Sequence, residues 1–126
     1  MIWSQNVDEI AKSLLCLTAT DGDGETLNIE SAFTILTDWT VQIREQKRTI
    51  FMIGNGASAS MASHVAADLA KNAHVHTEVF TDLALITAIA NDLSFQKIFS
   101  EPLQRRLVPS DMVVAISSSG QSLNIL

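Results

Sequence analysis

The chain has 126 residues, a length that fits one domain, and its 47% of hydrophobic residues is enough to form a core. A net charge of −6 and a pI near 4.8 argue against a nucleic-acid phosphate groove, since only eight Lys and Arg are present. The single cysteine, Cys16, excludes an internal disulfide framework, indicates a reducing compartment, and is expected to be buried among its apolar neighbours. No apolar run approaches the roughly 20 residues that cross a bilayer, and the N-terminus lacks signal-peptide features, so we expect a cytoplasmic protein without membrane contact.

Two amphipathic helices are predicted before any sheet. Apolar residues recur at helical spacing over 5–19 and over 28–47, where Asn28 is the expected N-cap. Between them, Asp21-Gly22-Asp23-Gly24 predicts a turn; it resembles part of a calcium loop, but the required Glu is absent. Because two helices alone cannot bury their apolar stripes, we interpret residues 1–48 as a helical oligomerisation segment that docks against another subunit.

From Thr49 onward, predicted strands and helices alternate. The last strand is apolar on both faces, which is typical of a parallel sheet covered by helices on both sides. The alternation therefore predicts an α/β fold, a three-layer sandwich with a parallel sheet. The predicted elements are strands at 49–53, 75–80 and 112–116, helices at 57–72, 83–91 and 95–106 (Pro102 opening or kinking the last), and a turn at 109–111.

Two loops of small residues follow the first and third predicted strands. The glycine loop is Gly54-Asn55-Gly56-Ala57-Ser58-Ala59-Ser60, and the serine loop is Ser117-Ser118-Ser119-Gly120-Gln121-Ser122. Small residues let the backbone approach a ligand, and hydroxyls with helix N-terminal N–H groups bind anions without lysine. Two such loops at strand carboxyl ends predict a phosphate site, and the hydroxyls favour a phosphosugar.

Other interpretations of these loops are open. Gly54, Gly56 and Ala59 also satisfy the dinucleotide fingerprint G-x-G-x-x-G/A, with Glu78 about twenty residues further on. That pattern is short and leaves the serine loop unexplained. A Walker motif is excluded because no Gly-Lys-Ser/Thr follows the first loop. A purely structural alternative is that the serines only cap a helix.

His64 and Asp68 are a candidate metal-ligand pair. They are four residues apart on a predicted helix and therefore share one face. An imidazole and a carboxylate so placed can bind one metal ion or form an exposed ion pair. Two ligands do not complete a tetrahedral site, and His74 and His76, on one face of the second strand, are further candidates.

Four segments in this order resemble the sugar isomerase (SIS) domain, and their spacing is most similar to its phosphoheptose isomerase subgroup. The resemblance covers about residues 30–126 and implies a flavodoxin-like, five-stranded parallel sheet between helices, with 49–126 as the N-terminal part of the domain. It also implies a homotetramer in which the N-terminal helices join at the subunit interface. The segments are Gly54-Asn55-Gly56-Ala57-Ser58, His64-Val65-Ala66-Ala67-Asp68-Leu69, Ala88-Ile89-Ala90-Asn91-Asp92 and Ala115-Ile116-Ser117-Ser118-Ser119-Gly120-Gln121-Ser122.

The resemblance implies a role for each motif residue. His64 corresponds to a zinc ligand, and Asp68 stands where the isomerases carry a catalytic Glu that also touches the metal. The implied substrate-binding residues are Ser117, Ser118, Ser119 and Ser122 for the sugar phosphate, Asn55, Gly56, Ala57 and Ser58 for the sugar, and Asn91 and Asp92 for closing the pocket.

The implied activity is isomerisation of sedoheptulose 7-phosphate through an enediol, for the synthesis of surface polysaccharide such as lipopolysaccharide. Asp68 departs from the pattern, because its carboxylate is one methylene shorter than that of Glu. A further metal-ligand Gln and an acid/base His would fall beyond Leu126, so we expect a chain truncated at its C-terminus that folds poorly as a monomer. The alternative function is a non-catalytic SIS scaffold that binds a phosphosugar or the replication initiator DnaA, as a close relative in this subgroup does.

Overall fold

A computed structural model describes residues 2–126, and in this part of the chain no helix is long and apolar enough to cross a membrane. The chain divides into two compact units inside the second helix, between Trp39 and Thr40. The division precedes the predicted boundary at 48/49, because Ile43 near the end of that helix is buried in the core of the second unit. In chain order the elements are α1 (Trp3–Leu15), β1 (Ala19–Thr20), β2 (Thr26–Leu27), α2 (Ile29–Glu45), β3 (Thr49–Gly54), α3 (Ala57–Ala73), β4 (His76–Val79), α4 (Leu83–Asp92), a 3-10 turn (Phe95–Lys97), α5 (Ser100–Arg106) and β5 (Met112–Ile116).

The first unit contains α1, a small hairpin and the start of α2. Residues 19–20 pair antiparallel with residues 26–27, so the turn predicted between them is confirmed. Asp21 forms this turn: its Oδ1 accepts hydrogen bonds from the backbone N–H groups of Asp23 (3.0 Å) and Glu25 (2.9 Å). Helix α1 ends four residues before the predicted end at 19, because the chain has entered the hairpin by then.

The expectation that Cys16 is buried is wrong. Cys16 is exposed and ends α1, a helix in which no residue is buried. The apolar neighbours of Cys16 are themselves exposed, as Leu15 and Leu17 are, so they form no core around the thiol.

Helix α2 begins as predicted, one residue after its N-cap. The Oδ1 atom of Asn28 accepts the backbone N–H of Glu30 at 2.9 Å and that of Ser31 at 3.3 Å. Two N–H groups that have no acceptor within the helix are thereby satisfied, and the carboxylate of Glu30 in the first turn complements the helix dipole.

The second unit is built on a three-stranded parallel sheet with the order β4-β3-β5, which confirms the three predicted parallel strands. Strand β3 is central and is buried from Ile50 to Gly54. Gly54 at its end is in register with Ile116 at the end of β5. The loops that follow these two strands therefore start side by side at the carboxyl edge of the sheet.

Alternate residues of β3 enter two separate cores, one on each face of the sheet. Ile50 and Met52 pack with residues of α2 and α3, whereas Phe51 and Ile53 pack with residues of α4 and of the segment that leads into α5. The predicted three-layer arrangement is therefore confirmed. Besides these β3 residues, the buried members are Ile43, Ala62, Ala66 and Val75 on one face, and Phe80, Ile89, Ile98 and Phe99 on the other.

Strand β5 is covered on one face only in the described part of the chain, although the sheet as a whole has a core on each face, as predicted. Its alternate residues from Met112 to Ile116 pack against the core that holds Ile50, but Val113 is 40% exposed. The reason is that the opposite core is built around β3 and Phe80, on the β4 side of the sheet.

The single helix predicted over 95–106 is also wrong. A 3-10 turn and α5 replace it, separated by the buried residues Ile98 and Phe99. A continuous helix would press the ring of Pro102 against the carbonyl group of Ile98, four residues earlier. Instead Pro102 lies in the first turn of α5, where its missing N–H costs no hydrogen bond, and it opens the helix.

Candidate functional site

The glycine loop joins β3 to α3 in a very tight turn. A Cβ atom on Gly54 would lie 2.8 Å from the backbone carbon of Ser58, so no larger residue fits without moving the start of α3. Gly56 precedes α3 with φ 53° and ψ −122°, a backbone conformation that favours glycine. The carbonyl oxygen of Asn55 accepts the N–H of Ser58 (2.9 Å) and begins the helical hydrogen-bond ladder. The two glycines thus bring the N-terminus of α3 directly to the edge of the sheet.

The serine loop is shaped by its own hydroxyl groups. Ser117 Oγ accepts the backbone N–H of Gly120 at 3.1 Å, and Ser119 Oγ accepts that of Gln121 at 3.2 Å. Gly120 has φ 62°, in the left-handed region. A hydroxyl that accepts one hydrogen bond can still donate its own hydrogen, so both serines keep a donor for an anion.

A cleft of about 650 Å³ lies where the two loops meet, within the size range of small-molecule sites. None of its lining residues carries a formal charge, so an anion bound there is held by neutral hydrogen-bond donors. The lining residues are Asn55, Gly56, Phe95, Gln96, Ser122, Leu123 and Asn124.

The cleft brings together three of the predicted substrate-binding residues, which are Asn55, Gly56 and Ser122. The other predicted residues of the two loops are near lining residues in the chain but do not line the cleft themselves. They are Ala57, Ser58, Ser117, Ser118 and Ser119. Four lining residues were missed by the sequence analysis: Phe95, Gln96, Leu123 and Asn124. A polar residue between apolar neighbours was a usable signal for Asn124, whereas Phe95 and Gln96 belong to the segment wrongly predicted as one helix.

A reciprocal pair of carboxamide hydrogen bonds joins the two sides of the cleft. Asn55 Nδ2 donates to Asn124 Oδ1 at 2.8 Å, and Asn124 Nδ2 donates to Asn55 Oδ1 at 2.8 Å. The two residues are 69 positions apart in the chain. Asn124 lies in a final turn, in which the N–H groups of Ile125 (2.8 Å) and Leu126 (3.1 Å) both donate to the carbonyl oxygen of Ser122.

His64 and Asp68 are close together on α3 but lie outside the cleft lining. Their Nε2 and Oδ2 atoms are 3.4 Å apart, and their side chains are 80% and 51% exposed. His74 ends α3 in a left-handed conformation and His76 begins β4, so the prediction that both lie on the strand is wrong. Within residues 2–126 no group of three His, Cys, Asp or Glu side chains is placed to hold a metal ion. The His64–Asp68 pair therefore offers two donors of the type that zinc binds, fewer than a zinc site needs.

A profile of the SIS domain matches residues 10–126 of this chain. The chain belongs to the SIS domain family. Two phosphoheptose isomerases illustrate the similarity: the one from Trichlorobacter lovleyi is 37% identical over 82 residues (60% of this chain, 42% of the relative), and one from Helicobacter pylori is 34% identical over 92 residues (68% and 48%). The SIS chain thus spans about half the length of the curated relatives it matches.

Solved structures agree with this assignment. A phosphoheptose isomerase from Neisseria gonorrhoeae superposes with a TM-score of 0.67 at 27% identity, over 99% of this chain and 65% of that chain. One from Francisella tularensis superposes with a TM-score of 0.75 at 21% identity, over 99% and 66%, and supports the fold. The predicted SIS fold and the similarity to the phosphoheptose isomerase subgroup are confirmed.

The Asn91–Asp92 element of this SIS domain ends α4 and is exposed. Asn91 Nδ2 donates to Asp92 Oδ1 at 2.8 Å, and neither residue is among those that line the cleft of the described chain. The 3-10 turn that follows supplies Phe95 and Gln96 to the cleft instead. Phe95 and Gln96, a few residues after the segment that was predicted to close the pocket, are therefore the residues that line the cleft here.

The alternative dinucleotide interpretation does not survive the identification of the SIS family. Glu78, its required acidic residue, is in register with Phe51, three residues before the end of β3. Its Oε2 lies 2.8 Å from Nη1 of Arg106, whose guanidinium also lies over the ring of Phe80 at 5.3 Å. Glu78 thus fastens α5 to β4 and does not face the glycine loop.

Proposed function

We propose that this SIS domain protein binds a phosphosugar in the cleft between its glycine and serine loops. The observation that carries the proposal is the meeting of Asn55, Gly56 and Ser122 in one cleft at the carboxyl ends of β3 and β5. In open parallel sheets, ligands bind at this edge because loops and helix N-termini converge there.

The serine loop would hold the phosphate group. Ser122 lines the cleft directly, and Ser117, Ser118 and Ser119 precede it in the same loop. The Oγ atoms of Ser117 and Ser119 accept hydrogen bonds from backbone N–H groups of the loop. Each hydroxyl can still donate its own hydrogen to an anion such as phosphate. The carboxamide of Asn55 and the backbone of Gly56 would then face the sugar hydroxyls. Ala57 and Ser58 at the start of α3 and the Asn91–Asp92 element would contact the sugar from outside the lining of the cleft.

We propose further that the reaction is isomerisation of sedoheptulose 7-phosphate to the corresponding aldose phosphate, a step in surface polysaccharide synthesis. A carboxylate removes the proton from the carbon next to the carbonyl group, which gives an enediol. The same proton is returned to the former carbonyl carbon, while the hydroxyl proton moves between the two oxygens. Asp68 is the proposed base, and the phosphate contacts supply binding energy that positions the reacting carbons.

Asp68 lies at the start of the fourth turn of α3, about 16 Å along the helix axis from Ala57 at a rise of 1.5 Å per residue. Its exposed carboxylate is accessible to a sugar held by another subunit in the homotetramer that we propose. Support for such an assembly comes from the large apolar side chains that α1 exposes, among them Trp3, Ile10 and Leu14. A cytoplasmic location is part of the same proposal, because sugar phosphates are intracellular intermediates.

Zinc at His64 and Asp68 is a further part of the proposal. The pair would supply an imidazole nitrogen and a carboxylate oxygen, and any other ligands would have to come from water or from outside the described residues. A metal ion so bound would polarise the sugar carbonyl group. Calorimetric titration with zinc tests this directly, with His64→Ala expected to abolish binding.

The activity test is incubation of the protein with sedoheptulose 7-phosphate, with and without zinc, while the heptose product is followed. Asp68→Asn should abolish turnover and retain phosphosugar binding, because it removes the proposed base and carboxylate metal ligand and leaves the cleft between the two loops unchanged. Asp23→Asn, on the exposed hairpin turn, is the matched control. Absence of turnover under both conditions, with binding retained, would overturn the isomerase proposal. Absence of binding would overturn the phosphosugar site as well.

A non-catalytic scaffold is the second candidate. It is favoured by the position of His64 and Asp68 outside the cleft lining and by the shorter carboxylate of Asp68. Such a protein would bind a phosphosugar, or the initiator DnaA, without converting a substrate. Retained phosphosugar affinity without turnover, together with direct binding of purified DnaA, is the result that this candidate predicts.

A further inference from the structure

We propose that Asn124 is a positioning residue of the phosphosugar site and acts through Asn55, an inference that rests on the proposed function. The two carboxamides hydrogen-bond reciprocally at 2.8 Å in each direction, and both line the cleft. Asn124 is 8% exposed and is the one buried polar or charged residue in the described part of the chain. Burial of a carboxamide is costly unless its hydrogen bonds are made, so the pair holds both side chains firmly.

The pair leaves Asn55 able to bind a ligand. A carboxamide has two N–H donors and an oxygen with two lone pairs, and the pair uses one donor and one lone pair of each residue. Asn55 is only partly buried and lines the cleft, so the N–H and the lone pair that the pair does not use remain for a ligand. The hydrogen bonds to Asn124 therefore fix the plane of the Asn55 carboxamide before a sugar arrives, which lowers the entropy cost of binding.

Asn124 also sets the distance between the two loops. The main-chain carbonyl of Asn55 accepts N–H groups from the first turn of α3, so the pair is anchored to the helix start on one side. On the other side, the turn that contains Asn124 is closed by two hydrogen bonds to the carbonyl oxygen of Ser122, whose side chain lines the cleft. One side chain thus ties the sugar-binding loop to the residue proposed to hold the phosphate.

The segment around Asn124 has a second attachment. Ile125 packs against the core that contains Phe51 and Ile53. We expect this contact to keep the final turn in place when the carboxamide pair is removed. We therefore expect Asn124 variants to stay folded while the position of the Asn55 side chain is lost.

The test is a double-mutant cycle on the full chain, with Kd for sedoheptulose 7-phosphate measured by calorimetry. Asn124→Leu keeps the approximate shape and removes both hydrogen bonds. We expect it to raise Kd about tenfold, which corresponds to about 1.4 kcal/mol. In an Asn55→Ala background the same change should alter Kd by less than about twofold, because Asn124 then has no side chain to position. Asn72→Ala, on the exposed surface of α3, is the control and should match the unaltered protein.

Thermal melting of each variant separates positioning from stability. A purely structural role would lower the melting temperature with Kd within about twofold of the unaltered protein, and this result would overturn the proposal. Equal losses of affinity in both backgrounds would overturn it too, because Asn124 would not be acting through Asn55. Asn124→Ser, which is too short to reach Asn55, replaces Asn124→Leu if the latter does not fold. Failure of the unaltered protein to bind the phosphosugar would instead refute the proposed function itself.

Discussion

Gly54→Ala is predicted to damage both the stability and the ligand site of this protein. The added Cβ would lie 2.8 Å from the backbone carbon, 2.9 Å from the carbonyl oxygen and 3.0 Å from the Cβ of Ser58. Two of these three atoms belong to the backbone, so the overlap cannot be relieved by a side-chain rotation. The start of α3 must move away from β3, and overpacking of this kind costs about 1–3 kcal/mol.

Two other glycines provide matched controls for the size of this effect. A Cβ on Gly22, in the hairpin turn, would meet no atom within 4 Å, so Gly22→Ala should change stability by less than about 0.5 kcal/mol. Gly56 has equally open surroundings, but its φ of 53° and ψ of −122° lie in a region that alanine rarely adopts, at a cost of about 1–3 kcal/mol. The series separates steric overlap at Gly54 from backbone conformation at Gly56.

The assay is urea denaturation followed by far-UV circular dichroism. Tryptophan fluorescence is unsuitable, since Trp3 and Trp39 both lie in the first unit and the substitution is in the second. Gly54→Ala should lower the denaturation midpoint and also weaken phosphosugar binding, because Gly56 and Asn55 move with α3. A midpoint equal to that of Gly22→Ala would refute the inference that close packing of β3 against α3 requires glycine at position 54.

Further predictions concern the hydrogen bonds at the start of β3, the phosphate contact and the assembly. Asp111→Ala removes the carboxylate that accepts the backbone N–H groups of Thr49 (2.9 Å) and Val108 (3.0 Å). It should lower the free energy of unfolding, measured by urea titration, by about 1–3 kcal/mol. An unchanged midpoint would show that these hydrogen bonds do not contribute to stability. Ser122→Ala should raise the phosphosugar Kd by about tenfold in calorimetry, while Ser13→Ala on α1 leaves it unchanged, and equal affinities would remove Ser122 from the site. Because α1 exposes its large apolar side chains, the melting temperature should rise with protein concentration, and a sharp, concentration-independent transition of a monomer would contradict this.

Most of the fold could be predicted from the sequence because its signals are local. Asn28 has the side chain that caps a helix, and it caps α2. The apolar runs at 49–53 and 112–116 became parallel strands, since such runs need cover on a sheet face. The glycine and serine loops follow these strands directly, so their meeting at one edge of the sheet follows from parallel pairing.

The errors of prediction arose where a distant contact decided the outcome. Periodicity extended a helix through 95–106, but the burial of Ile98 and Phe99 in the core around Phe51 divides it. The apolar neighbours of Cys16 suggested a buried thiol, although burial depends on whether another layer covers α1. The residues of one helix do not show whether another part of the protein covers its apolar face.

The sequence by itself determined the family, the order of the three parallel strands along the chain, and the two loops that meet at the candidate site. These depend on residue type and short spacing, which a linear pattern contains. Only the tertiary structure decided which residues line the cleft, because the pairing of Asn55 with Asn124 joins positions 69 residues apart. It also separated the His64–Asp68 pair from that lining, since the direction in which a helix face points is fixed by the packing of α3 on the sheet.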